Sequence, residues 1–326
     1  MAAQGGALVI SLDFELHWGM RDKERPDGPI RNALLGAREA IPQMLECFQR
    51  FDVAATWATV GMLFALNSNE LAAFEPATRP GYLNSRLAPW DEPVGMSEAD
   101  DPLHFAPSLI DAISRCPRQE IATHTYSHYY CLEAGQTVEA FDSDLSRATA
   151  IAARRGHAVR SIVFPRNQHN PEYADVLLEH GVVCYRGNPR NWVYRGTSRA
   201  HRLGRLIDSV ANLSGHNTIA WGDLAEPNTG LVNVPASFML RPWSARIARL
   251  RERRLCACLT TAARRGEIAH LWWHPHNFGA NTERNMAMLC RVLSHFDRLR
   301  DQYGMESLSM ADVASRVIPN RLNEAA

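Results

Sequence analysis

Lysine is almost absent. Lys23 is the only one, and arginine carries the rest of the positive charge. Lys+Arg is 35 and Asp+Glu is 35, so the formal net charge is zero. A chain without a basic excess has no electrostatic footprint for nucleic acid or an anionic surface. Neither is expected as a partner. There is no window of about 18 uncharged apolar residues, so no membrane span is expected. The amino terminus has no basic segment, and the apolar run that begins at Ala7 stops at Asp13. That run is too short for an export signal, and a cytoplasmic location is the expectation. The seven cysteines are Cys47, Cys116, Cys131, Cys184, Cys256, Cys258 and Cys290, and no two form a CxxC pair. An odd, scattered set reads as reduced thiols. Internal repeats and low-complexity linkers are also missing, so one domain over 1–326 is expected.

What is present is enough apolar material for a large core: 46% of 326 residues are hydrophobic and 21% charged. Strand-like runs fall at 7–11, 53–60, 120–123, 161–164, 182–185 and 268–273. Helical spacing falls at 33–51, 138–155, 170–179, 244–265 and 282–303, with Pro42 expected to kink or restart the first of these. Strands alternating with helices imply an α/β fold with a mostly parallel sheet, and here a barrel. Chemistry in such folds sits at the carboxyl ends of the strands. The stretch 67–107 is rich in Pro, Gly, Asn and charge, and reads as a loop insertion over one end, with Trp90 as a contact residue.

Four polar clusters each follow one of these strands. In Ser11-Leu12-Asp13-Phe14-Glu15, strand alternation points Asp13 and Glu15 the same way. Two carboxylates there can divide labour between a metal and a proton, although an acidic pair at a strand end more often serves as caps or ion-pair partners. In His124-Thr125-Tyr126-Ser127-His128, histidines at i and i+4 share one face of a helical turn and can ligate one ion. One structural and one exposed histidine is the competing reading. Phe164-Pro165-Arg166-Asn167-Gln168-His169-Asn170 offers an arginine for a carboxylate and amides for a sugar, or an ordinary loop capped at Asn170. Leu271-Trp272-Trp273-His274-Pro275-His276-Asn277 places a histidine at a strand exit beside two tryptophans. That environment suits a general acid. The joint occurrence of all four points to a metal-dependent hydrolase.

These clusters, in this order, resemble the polysaccharide deacetylase family of NodB-homology type (carbohydrate esterase family 4), and the resemblance runs from about Ala7 to Val313. It implies a distorted (β/α) barrel of about seven strands and one divalent metal, usually zinc. The implied activity is hydrolysis of the N-acetyl group of a sugar. A nucleotide- or lipid-linked glycan of bacterial surface polysaccharide, of O-antigen or capsule type, would be the substrate. Carried over residue by residue, Asp13 matches the catalytic base and Arg166 the arginine that holds it. His274 matches the general acid, and His124 and His128 the metal histidines. The commoner first motif has two adjacent aspartates. Phe14 stands in the second place here, so alternation gives the metal carboxylate to Glu15. Asn167, Gln168, Trp273 and Asn277 are the expected substrate contacts. Gly230 to Ser237 is the candidate for the remaining motif. Two other readings stand beside this one: a hydrolase of another amide, allantoinase-like, and a non-catalytic carbohydrate-binding relative.

Overall fold

Strand β1 (Ala7–Phe14) is buried along its whole length, as a central strand covered on both faces must be. The computed structural model describes residues 5–191 and 215–319, with 193, 200, 201, 203, 204 and 208 between them. The further strands are β2 (Ala55–Thr59), β3 (Gln119–Thr123), β4 (Ser161–Ile162), β5 (Cys184–Tyr185), β6 (Val232–Asn233), β7 (Phe238–Met239), β8 (Ile268–Trp273) and β9 (Glu306–Leu308). They lie in the order β6-β5-β4-β3-β2-β1-β8-β7, all pairings parallel. β9 pairs with Ala7–Val9 at the start of β1, and β2 with Ser11–Phe14 at its end.

The two edge strands of that order are near neighbours in sequence. The segment 232–240 bonds β5 through β6 and Val234, then β8 through Ser237 and Leu240. One continuous piece of chain therefore joins both edges and closes a distorted barrel. Counting β6 and β7 as one stave, with β1 to β5 and β8, gives seven. The Gly230–Ser237 segment thus has a closing role.

The helices are α1 (Arg31–Arg50), α2 (Ser68–Ala73), α3 (Pro107–Arg115), α4 (Val138–Arg154), α5 (Ala174–Glu179), α6 (Ala248–Arg265), α7 (His276–Gly279), α8 (Thr282–Tyr303) and α9 (Met310–Val317). α1 runs through Pro42 as a single helix, against expectation. Pro42 is exposed, so the backbone bond it cannot make falls where water can replace it. Residues 170–179 are a 3₁₀ turn followed by α5 rather than one helix. The stretch 67–107 holds α2 and a 3₁₀ turn, Ser85–Leu87, and is otherwise irregular. Among the described residues no helix is long and apolar enough to cross a membrane.

Alternation along β1 divides the core in two. Leu8, Ile10, Leu12 and Phe14 face the helical layer, with Trp57, Phe48 and Trp273. Val9 and the other residues of its parity face the barrel axis, with Val163, Val183 and Val234. Ser11 and Asp13 share that inner parity and are buried.

Candidate active site

The inner face of β1 ends in polar side chains because the barrel opens there. Asp13 is 3% exposed and Glu15 4%. Glu15 stands just past the strand, ahead of a 3₁₀ turn, Leu16–Gly19. The turn folds back so tightly that a Cβ on Gly19 would lie 2.0 Å from the Glu15 carboxyl carbon. The missing side chain is the space that the carboxylate fills.

Three donors converge at this point. Glu15 Oε2 lies 3.0 Å from His128 Nε2 and 3.3 Å from His124 Nε2. All three residues are buried, and their ligand atoms fall within 4.8 Å of one another. His124 Nδ1–H donates to the Val163 carbonyl at 2.7 Å. That bond fixes the tautomer and leaves Nε2 as a bare lone pair. Two imidazoles and a carboxylate, with donors spaced near the roughly 3.4 Å edge of a tetrahedron with zinc-like bond lengths, are a ligand set for such an ion. The residues therefore fit the divalent metal that the sequence implies.

The histidine segment is not a helical turn, contrary to the expectation from spacing. It leaves β3 as a loop in which Thr125 (φ 63°) and His128 (φ 54°) are left-handed. Leu16, Arg166 and Asn167 are also left-handed, so strained backbone gathers at the strand exits. Buried Asp144 of α4 holds the loop in this shape. It accepts from Tyr126 N at 2.7 Å, from Ser127 N at 3.1 Å and from the Ser127 hydroxyl.

Arg166 does not hold Asp13, and that expectation is corrected. Its guanidinium pairs with Asp22, lies 3.6 Å from Glu133, and sits 4.1 Å above the Tyr130 ring. The partner of Asp13 is Arg186, with bonds of 2.6 and 2.8 Å to the two carboxylate oxygens. Arg186 is 1% exposed. It also donates to Ser11 Oγ and Asn167 Oδ1, and lies 4.2 Å over the Trp272 ring. Arg186 directly follows β5, so the rule that chemistry sits at strand exits could have found it.

Of the expected substrate contacts, Asn167 reaches this cluster through Arg186. Gln168 instead bonds Leu132 N and Glu133. Asn277 is half-buried with Nδ2 unpartnered. Trp273 is fully buried and stacks on Phe278, so it is core and not a sugar platform. Its neighbour Trp272 shares the register of Ser11 and contacts His274 edge-on at 5.7 Å. His274 stands at the rim, with Nε2 3.5 Å from Glu15 Oε1 and 3.7 Å from Asp13 Oδ2.

The electrostatics favour ligation. Burial pushes the Glu15 carboxyl upward, but the nearby His274 and the bonds from His124 and His128 outweigh it and hold Glu15 well below its ordinary value. Burial likewise opposes ionisation of Asp13, and Arg186 with His274 overcomes it. Burial drives His128 down to about 3, against the pull of Glu15. At neutral pH the site thus offers ionised carboxylates and a neutral His128.

Residues 27–185 match the family model described as polysaccharide deacetylase. Over this stretch, just under half of the chain, the sequence is similar to the polysaccharide deacetylase family. Members are hydrolases that act on C–N bonds of carbohydrates. The match contains His124 and His128, but begins after Glu15 and ends before Arg186, so the rest of the site rests on geometry. No curated protein matches. Among solved structures, one classed as a polysaccharide deacetylase from Mycobacterium smegmatis has a TM-score of 0.61 at 14% identity, covering 98% of this chain and 93% of that one. Another so classed, from Pseudomonas aeruginosa PAO1, has 0.55 at 10%, covering 95% and 89%. Puue allantoinase has 0.55 at 12%, covering 95% and 88%. At these identities the likeness is one of fold.

Proposed function

We propose that this chain is a metal-dependent enzyme of the polysaccharide deacetylase family that hydrolyses the N-acetyl group of a sugar. The observation that carries the reading is the convergence of Glu15, His124 and His128 beside an arginine-held Asp13, with His274 at the rim. Glu15, His124 and His128 would hold the ion, with zinc as the proposed metal. Bound there, it would supply Lewis acidity towards an acetamide carbonyl and towards water.

The chain's own residues supply the proton chemistry. Asp13 is ionised, buried and locked by two bonds, so it accepts a proton without reorienting. Arg186 keeps that carboxylate charged and aimed, and Asn167 and Ser11 fix Arg186 in turn. His274 is the most solvent-accessible of the group, at 21% for its side chain, and is placed to give a proton to the departing amine. Trp272 forms an apolar wall beside it. A cytoplasmic role on a nucleotide- or lipid-linked glycan for surface polysaccharide is part of the proposal and rests on the family reading.

The test is metal content of the purified protein together with acetate release from a panel of N-acetylated sugars. Asp13→Asn and His274→Ala should each retain the ion and lose roughly 10²–10⁴-fold in turnover. Ureide hydrolysis without acetate release would instead favour an allantoinase-like activity. A stoichiometric ion with neither activity would point to a carbohydrate-binding relative.

A further inference from the structure

A second cluster of metal-ligand type lies next along the chain from the first. His17, on the 3₁₀ turn after Glu15, is fully buried, and His104, at the end of the 67–107 stretch, is 1% exposed. His17 Nδ1 stands 3.0 Å from His104 Nε2. Glu92 Oε1 stands 3.2 Å from the first nitrogen and 3.6 Å from the second.

The other nitrogen of each ring is already committed. His17 Nε2 bonds the Glu24 carbonyl at 3.0 Å, and a carbonyl can only accept. His17 therefore carries its proton on Nε2 and presents a bare Nδ1. His104 Nδ1 bonds Asp101 Oδ2 at 2.7 Å, while Gly95 N and Leu103 N also donate to that carboxylate. Asp101 is thereby held as an anion, and a neutral His104, with its proton on Nδ1, presents a bare Nε2. This carboxylate–histidine arrangement orients imidazoles in metal sites.

With both rings neutral, two lone pairs and a carboxylate oxygen face one another with no hydrogen between them. Such a group calls for a positive charge among the three atoms, supplied by a metal ion or by a second imidazole proton. The three separations of 3.0, 3.2 and 3.6 Å straddle the roughly 3.4 Å edge of a tetrahedron with zinc-like bond lengths. Glu92 also lines a charged cleft of about 450 Å³ with Arg21, Asp22 and Lys23, which gives an ion a way in.

We propose that His17 Nδ1, His104 Nε2 and the Glu92 carboxylate bind a second divalent cation of the zinc class. It is separate from the Glu15 site and fastens the 67–107 stretch to the exit of β1. Trp18 Nε1–H already donates to the His104 carbonyl at 2.9 Å across the same junction, and the ion completes that attachment. The inference stands apart from the deacetylase reading, because the two sites share no ligand.

The experiment is elemental analysis of the full chain after zinc loading and gel filtration, on wild type, His128→Ala, His104→Ala and Glu92→Gln. Two zinc ions per wild-type chain are expected. His104→Ala should hold one, Glu92→Gln should hold the second at least tenfold more weakly, and His128→Ala should lose the other ion. Glu92→Gln keeps the shape of the side chain and guards against misfolding of the alanine variant. One ion in wild type, lost in His128→Ala, overturns the proposal, because a second proton on an imidazole would then be the cation between the rings. Two ions that persist in both His104→Ala and Glu92→Gln also overturn it.

Discussion

Arg186 grips both oxygens of Asp13, at 2.6 and 2.8 Å, and both side chains are buried. A buried carboxylate in this position needs its counter-charge, and removing one partner of such a pair costs about 3–5 kcal/mol. Arg186→Gln should therefore lower the melting temperature. It should also leave burial uncompensated and raise the Asp13 pKa. The sign follows from the native arrangement, in which Arg186 and His274 hold Asp13 low. That contribution to stability is full above the unfolded carboxylate pKa and is lost as pH falls through the folded one. In the variant the acid limb of kcat/KM should move to higher pH. Arg166→Gln should leave that limb where it is, because Arg166 pairs with Asp22. Equal displacement in both variants would refute the reassignment.

Gly19→Ala tests the metal centre without touching a ligand. The new Cβ would meet the Glu15 carboxyl oxygens at 2.3 and 2.4 Å. The end of a glutamate side chain can swing away, so the fold should survive. The carboxylate would no longer face His124 and His128. Disturbed support for a metal ligand typically costs roughly 10–100-fold in affinity. Zinc titration should show that loss, while the melting temperature of the chelated protein stays close to wild type. Unchanged zinc affinity would mean that Glu15 is not a ligand.

The separation between what the sequence disclosed and what it hid is itself physical. Alternation was readable in β1, because a strand buried on both faces has no freedom to slip; Asp13 and Glu15 follow from it. The same parity, counted back from His274, puts Trp272 on the face of the site and buries Trp273 in the core, so which tryptophan lines the site was open to the same rule. Arg186 was harder to see, since β5 is only two residues long and gives little periodicity. The shape of the His124–His128 loop was not readable, because it depends on Asp144 from a helix that begins ten residues beyond His128. Nor was the pairing of His17 with His104, which lie 87 positions apart and meet only through the irregular stretch between them.

Asp144 also offers a test in which stability and site geometry move together. Burial pushes its carboxyl up to about 6 from an ordinary 3.8, although the hydroxyl and amides of the 126–127 loop pull it down. The folded state therefore holds this proton more tightly than the unfolded chain does. Its contribution to stability is full below about pH 4 and declines as pH rises towards 6, by about 3 kcal/mol in all. Melting temperatures followed from pH 4 to 7 in wild type and Asp144→Asn should differ in slope over that window, with the variant flatter. Asp144→Ala does something else: it strands two backbone N–H groups and a hydroxyl, at about 1–3 kcal/mol, and frees the loop that carries His128. Zinc affinity should fall with it. Parallel slopes in Asp144→Asn, or wild-type zinc affinity in Asp144→Ala, would show that the helix does not hold the histidine loop.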